Sequence, residues 1–117
     1  MKLKIKGEDI ELLYLYRTTL FFEDIAGHNL DFANMTQKDI MNLFYANVYA
    51  TLQKMKKEAI TMLELLDIID DNGGERCVLQ FASWFIENYK KELEILNDIN
   101  VDDKQVKKTK GKVKAKS

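Results

Sequence analysis

The fold class is set by one stretch of sequence, Thr36-Gln-Lys-Asp-Ile-Met-Asn-Leu-Phe-Tyr-Ala-Asn-Val-Tyr-Ala-Thr-Leu52. Its apolar residues recur every three or four positions, which is the spacing of one helix face. Thr36 and Asp39 stand at capping-box spacing, with Asp in place of the usual Glu or Gln. Lysines follow near position 54, where positive charge offsets the helix dipole. The stretch therefore predicts an α-helix over about residues 37–54.

Two more helices are predicted after this segment. Thr61-Met-Leu-Glu64 is a stronger capping box, and the apolar stripe behind it predicts a short helix over about 62–71. The run from Asp70 to Gly74 contains two consecutive glycines, which indicates a turn that ends this helix. The apolar periodicity then resumes and predicts a last helix over about 75–98.

The N-terminal region has a different period. Residues 2–7 alternate polar and apolar side chains, which is typical of a half-buried strand. Gly7-Glu8-Asp9 indicates a turn, and the alternation after it predicts a second strand to about residue 15, paired with the first as a hairpin. The same residues are also compatible with the beginning of a helix. We expect that helix from about 17, with Gly27 at the position of its C-cap.

The predicted fold class is therefore mainly α (α+β), a short N-terminal β-hairpin followed by about four helices. A chain of 117 residues with 46% hydrophobic residues suits one domain with a real core. The chain has no proline, which favours long helices. Its single cysteine excludes an intrachain disulfide and indicates a reducing, cytoplasmic setting. No signal peptide or membrane-spanning stretch is expected, since the apolar runs are too short.

The charge is distributed unevenly along the chain. Residues 102–117 contain seven lysines and two aspartates, so the net charge of −1 leaves −6 on residues 1–101. We expect a helical domain over 1–100 and a disordered, lysine-rich tail over 101–117, because the tail has almost nothing apolar to bury. The tail contains neither arginine nor aromatic residues, so we expect no specific nucleic-acid binding.

No group of residues in the sequence indicates catalysis, a metal or a cofactor. His28 and Cys77 could form a nucleophilic pair, but a loop histidine and a cysteine in an apolar helix more often have structural roles. The acidic cluster of Asp67, Asp70 and Asp71 lacks the ligand series of a calcium loop and suits a solvated helix end. We therefore expect a protein that binds other proteins and is not an enzyme.

The last helix is the strongest candidate for a binding surface. On a helical projection its apolar residues cover an arc of about 220°, against the roughly 100° that faces one core. The excess has two interpretations: a helix central to its own domain, or a second contact with another copy or another protein. The candidate partner-binding residues on this arc are Leu79, Phe81, Trp84, Phe85, Ile86 and Tyr89.

The order of elements and several segments resemble a known family. Leu20-Phe-Phe-Glu-Asp-Ile-Ala-Gly-His-Asn-Leu30 is similar to the “FE…TG…L” segment of the tail assembly chaperones of long-tailed bacteriophages, and Leu43-Phe-Tyr-Ala-Asn47 is similar to their following helix. Residues 61–71 and 75–89 resemble their two later helices. The resemblance covers roughly residues 2–98.

This resemblance implies a role. Such chaperones bind the tape measure protein, a long helical chain with apolar stretches, until the tail tube protein polymerises around it. They act in the bacterial cytoplasm and are absent from the mature virion. Many are also made in a longer form by a ribosomal frameshift, and the A-rich lysine codons of residues 104–116 suggest a slip site here. Self-association and contact with the tail tube protein are further expectations.

Two other interpretations remain open at the level of sequence. The chain could be a small structural or adaptor protein of a mobile element, such as a head–tail connector component. It could also be a weak nucleic-acid-binding regulator that acts through its basic tail.

Overall fold

The structure is a computed structural model that describes the backbone of residues 1–107 and the side chains of residues 1–96. It confirms the predicted fold class, an N-terminal β-hairpin followed by helices. In the described part of the chain the elements are β1 (Lys2–Ile5), β2 (Glu8–Glu11), α1 (Tyr16–Ala26), α2 (Gln37–Lys54), α3 (Met62–Asp71) and α4 (Glu75–Lys107), with a 3-10 turn at Phe32–Asn34.

The hairpin is antiparallel, and its turn lies one residue earlier than the sequence suggested. Leu3 is paired with Ile10, and Ile5 with Glu8. The turn residues are Lys6 and Gly7, both with positive φ, as a tight two-residue hairpin turn requires. The predicted turn at Gly7-Glu8-Asp9 was therefore wrong, because Glu8 and Asp9 already belong to β2. The second strand also ends at Glu11 and not near residue 15.

A buried polar network fixes the connection between β2 and α1. The side-chain amide nitrogen of Asn47 donates to the carbonyl oxygen of Leu13 at 2.8 Å and to the Thr18 hydroxyl at 3.2 Å. The backbone N–H of Leu13 donates to the hydroxyl of Thr51 at 3.1 Å. The Leu12 N–H still donates to the carbonyl oxygen of Met1 at 2.8 Å. Both partners of Leu13 are on α2, so this helix satisfies the next backbone groups after the hairpin.

Both capping boxes are present. The Thr36 hydroxyl accepts from the Asp39 N–H at 3.1 Å, and the Asp39 carboxylate accepts from the Thr36 N–H at 3.2 Å. Thr61 and Glu64 make the same reciprocal pair at 3.1 and 2.8 Å. These contacts satisfy N–H groups that the first turn of a helix leaves without partners. They confirm the predicted starts of α2 and α3.

The core is centred on α2, which contributes ten buried residues to it. Large apolar side chains from the hairpin, α1, α3 and the first turns of α4 close around that helix. The buried members with the largest side chains are Phe22, Phe44, Phe81, Phe85, Leu52 and Leu65. Four of these six are phenylalanines, so aromatic packing accounts for much of the buried volume.

Helix α4 is longer than predicted. The chain divides into two compact units, of which the first is Met1–Phe85 and the second begins at Ile86, and α4 begins in the first and extends into the second. It extends to Lys107, whereas the periodicity predicted an end near residue 98. Residues 101–107 of the predicted tail belong to α4. The predicted disorder of residues 108–117 lies outside the described residues. It therefore stays a prediction.

Candidate interaction surfaces

The six candidate residues on α4 do not share one environment. Phe81 and Phe85 are 0% and 2% exposed and belong to the core. Phe81 packs against Phe44, and Phe85 packs against Tyr14 at a ring-centroid distance of 5.1 Å. In this conformation neither ring can touch a partner, so their assignment as contact residues is corrected. For Phe81 and Phe85, the interpretation of α4 as a helix central to its own domain is therefore the right one.

The other candidates are more accessible. Leu79 is 59% exposed, although it lies within two residues of the buried Cys77 and Phe81. Trp84 is half-buried and packs on the core, with its ring 6.0 Å from that of Phe81. Ile86 and Tyr89 are also half-buried. Their role in binding a partner stays a prediction.

A stripe of apolar residues begins at Ile86 and continues along α4 past Tyr89. Ile86, Tyr89, Leu93 and Leu96 follow each other at intervals of three, four and three, the a/d spacing of a coiled-coil seam. We call these four residues the α4 seam. On a helical projection they fall within an arc of about 80°. Leu93 and Leu96 are 41% and 51% exposed, which leaves a narrow apolar stripe in contact with solvent.

Polar residues frame the α4 seam. Lys90 borders it on one side and Glu92 on the other, whereas Lys91 projects from the opposite face. Ile95 also lies well outside the seam on the helical projection and is 61% exposed. Leu93 and Leu96 were not predicted as contact residues, because the aromatic residues of the apolar arc end at Tyr89.

A groove between α1 and α2 is another apolar surface. It has a volume of about 290 Å³ and is lined by Phe21, Asp24, Ile25, Tyr45 and Tyr49. The rings of Phe21 and Tyr49 meet edge to face at 5.1 Å. Its volume is at the lower limit for drug-sized ligands, so the groove suits inserted side chains better than a whole small molecule. The spacing of Tyr45 and Tyr49, i and i+4, indicates in the sequence that both rings lie on one face of α2.

The Tyr45 hydroxyl in this groove has a structural role. The Tyr45 hydroxyl donates to the carbonyl oxygen of Ile60 at 2.8 Å, which anchors the segment before α3. Burial raises the pKa of the Tyr45 phenol, and the nearby Tyr49 and Glu64 raise that pKa further. Such a phenol stays neutral at physiological pH, so Tyr45 acts as a structural hydrogen-bond donor.

The structure separates the two residues that could have formed a nucleophilic pair. Cys77 is 1% exposed in the apolar core, and burial raises the pKa of its thiol. His28 lies instead against Asp39, with Nε2 3.0 Å from Oδ1, while its Nδ1 lies 2.9 Å from the carbonyl oxygen of Asn29. Both ring nitrogens therefore face acceptors, and neither is directed at a nucleophile.

Among the side chains that the structure describes, no group of three or more His, Cys, Asp or Glu residues is arranged to hold a metal ion. Asp67, Asp70 and Asp71 are exposed on or at the end of α3. None of the helices in the described part of the chain combines the length and apolarity needed to cross a bilayer.

Comparisons of this chain with protein-family models, with curated proteins and with solved structures found no match.

Proposed function

We propose that this chain is a tail assembly chaperone of a long-tailed bacteriophage or prophage. In this role it binds the tape measure protein and keeps it soluble until tail tube protein polymerises around it. The chain would act in the cytoplasm of the bacterial host and would be absent from the finished particle. The segments around Phe22 and Leu43 that resemble this family supply the identity of the partner.

The α4 seam is the observation that carries the proposal. A protein that holds an apolar helical chain needs accessible apolar side chains on a body that is otherwise well packed. The body meets the second condition, because four of its phenylalanines are buried in the core around α2. Leu93 and Leu96 supply the accessible apolar side chains, since they are partly exposed. Their spacing is the one with which one helix packs along another.

The charge of the chain supports the same role. Residues 1–101 carry −6, and this excess opposes aggregation of a protein that exposes leucines. Lys90 and Glu92 border the α4 seam with opposite charges. A client helix with an apolar stripe and flanking charges would fit such a surface, since electrostatic complementarity fixes the register of a helix pair.

Co-expression tests the proposal. The tape measure protein of the same operon is produced with this chain, with an acidic helical protein of similar size, or alone, and its soluble fraction is measured after lysis. We expect this chain to raise the soluble fraction and to co-purify with the tape measure protein. A soluble fraction no higher than with the unrelated acidic protein would overturn the proposal.

Two further observations separate the proposal from the alternatives. Presence of the chain in purified phage particles would favour a connector or other structural component. Salt-sensitive DNA binding that disappears when residues 102–117 are deleted would favour a nucleic-acid-binding regulator.

The proposed longer form depends on the gene. Lys107 and Lys108 are adjacent, and the lysine codons of residues 104–116 are A-rich. A slippery heptamer in this region, followed by an overlapping reading frame, would support a frameshift product. Their absence from the nucleotide sequence would remove it.

A further inference from the structure

The segment that connects α1 to α2, residues 28–35, contains a contact that the proposed function does not use. Apart from the 3-10 turn at Phe32–Asn34 the segment has no regular structure. Many of its polar contacts are local, since Asp31 accepts from the N–H of Ala33 at 3.0 Å and from the Asn34 side chain at 2.8 Å. The contact between His28 and Asp39 instead joins the segment to another element, α2.

The geometry at His28 specifies a protonation state. Both ring nitrogens lie within 3.0 Å of an acceptor, the carbonyl oxygen of Asn29 for Nδ1 and the Asp39 carboxylate for Nε2. A neutral imidazole carries a single N–H and can donate to only one of them. The imidazolium donates to both, and its bond to the carboxylate is charge-assisted. Loss of one proton would leave a ring lone pair facing an oxygen.

The surroundings of His28 favour the charged ring. The charged groups that face it are Asp39 on α2 and Asp31 in its own segment, both negative. The Asn29 carbonyl, followed by the Asp39 carboxylate, raises the pKa of His28 above its ordinary value. The edge of the ring also meets the buried Phe22 of α1 at a centroid distance of 5.7 Å. About half of the His28 side chain remains exposed, so protons exchange freely with solvent.

The segment held by His28 lies over part of the core. Phe32 is half-buried and its ring centroid is 6.2 Å from that of Phe85. Leu30 and Met35 also pack against the core from this segment. Movement of residues 28–35 would therefore uncover apolar surface beside Phe85.

We propose that His28 is a pH-sensitive latch, which in its protonated form fastens residues 28–35 to the N-terminus of α2 and holds them less tightly when it is deprotonated. The latch depends on two acceptors placed around one ring and on a segment with few other polar ties to the body. It goes beyond the proposed function and would operate whether or not the chain is a chaperone.

The test uses the full chain and follows two signals with pH. His28 is the only histidine, so its imidazole resonances give one unambiguous titration curve. Amide hydrogen exchange over residues 28–35, corrected for the intrinsic effect of pH, reports opening of the segment. We expect exchange to become several times faster as pH rises through the midpoint of His28, while amides 43–52 of α2 keep their protection. Protection that stays constant through this titration would overturn the latch.

Two variants make the test specific. His28→Gln retains a polar side chain that cannot titrate, so its exchange over 28–35 should show no inflection with pH. Asp39→Asn removes the carboxylate, and both the His28 midpoint and the inflection in exchange should move together to lower pH. An inflection that persists in His28→Gln, or one that does not follow the midpoint in Asp39→Asn, would contradict the proposal.

Discussion

The rings of Phe44 and Phe81 stack face to face, with centroids 4.3 Å apart and planes within 3° of parallel. Both side chains are 0% exposed. The contact joins the first turns of α4 to the central helix α2, so this part of α4 is held by the core and serves the fold. A partner can therefore contact α4 only at residues that are not buried in the core.

Replacement of Phe81 should test this division. Phe81→Ala should lower the free energy of unfolding by about 3–5 kcal/mol, because it removes a fully buried ring and leaves a cavity. Leu79→Ala lies two residues away on the same helix but is 59% exposed, and it should change stability by about 0.5 kcal/mol or less. Urea unfolding of both variants measures the difference. Equal losses would show that Phe81 is not a core residue.

The buried Asn47 network should also contribute to stability. Asn47→Ala should cost about 1–3 kcal/mol, because the carbonyl oxygen of Leu13 would lose its buried donor. The Oδ1 atom of Asn47 meets no donor among the described residues, so the contribution comes from its NH₂ group. Asn72→Ala is the matched control, since that side chain donates to a backbone carbonyl at an exposed position. Its cost should be about 0.5 kcal/mol or less.

Stability should depend on pH through the His28–Asp39 pair. The raised pKa of His28 means that its contribution is complete below the ordinary value of 6.5 and is lost as pH rises through the folded value. The Thr36 N–H, followed by His28, lowers the pKa of Asp39, so its contribution is present above 3.8 and is lost as pH falls through the folded value. The melting temperature of the native chain should exceed that of His28→Gln most between these limits. A difference that grows above pH 8 would contradict this account.

The Cys77 thiol should be unreactive toward thiol reagents in the folded protein. The thiol is buried and burial raises its pKa, so little thiolate is present and reagents cannot reach it. Reaction with a disulfide reagent should be slow in buffer and should accelerate with urea in parallel with global unfolding. Rapid labelling in buffer would show that the first turns of α4 open locally.

Much of the fold followed from local sequence signals. The capping boxes at Thr36 and Thr61 gave the starts of α2 and α3 correctly, because a cap depends on residues only three positions apart. The end of β2 at Glu11 was not predicted, because the backbone groups of Leu13 pair with Asn47 and Thr51, which lie in a distant part of the chain. Hydrogen bonds between these backbone groups and side chains of a distant helix produce no periodic pattern in the sequence of the strand.

The candidate surface was predictable only in part. The width of the apolar arc on α4 left two interpretations open, and it could not say which residues face the core. Packing of Phe81 on Phe44 decides this, and it requires the tertiary structure. The pair formed by His28 and Asp39 was also missed, because His28 lies in a connecting segment and Asp39 in α2, so no periodic pattern relates them. A lone histidine offers no local indication of its partner.

The most direct test of the account is the affinity of α4 variants for the tape measure protein. Leu93→Asp and Ile95→Asp each place a carboxylate at an exposed apolar position of the same helix, but only Leu93 belongs to the α4 seam. In a pull-down followed by titration, Leu93→Asp should weaken binding at least about tenfold, as the loss of a central interface residue does. Ile95→Asp should bind within about twofold of the native chain. Equal binding by both variants would contradict the claim that the α4 seam holds the partner.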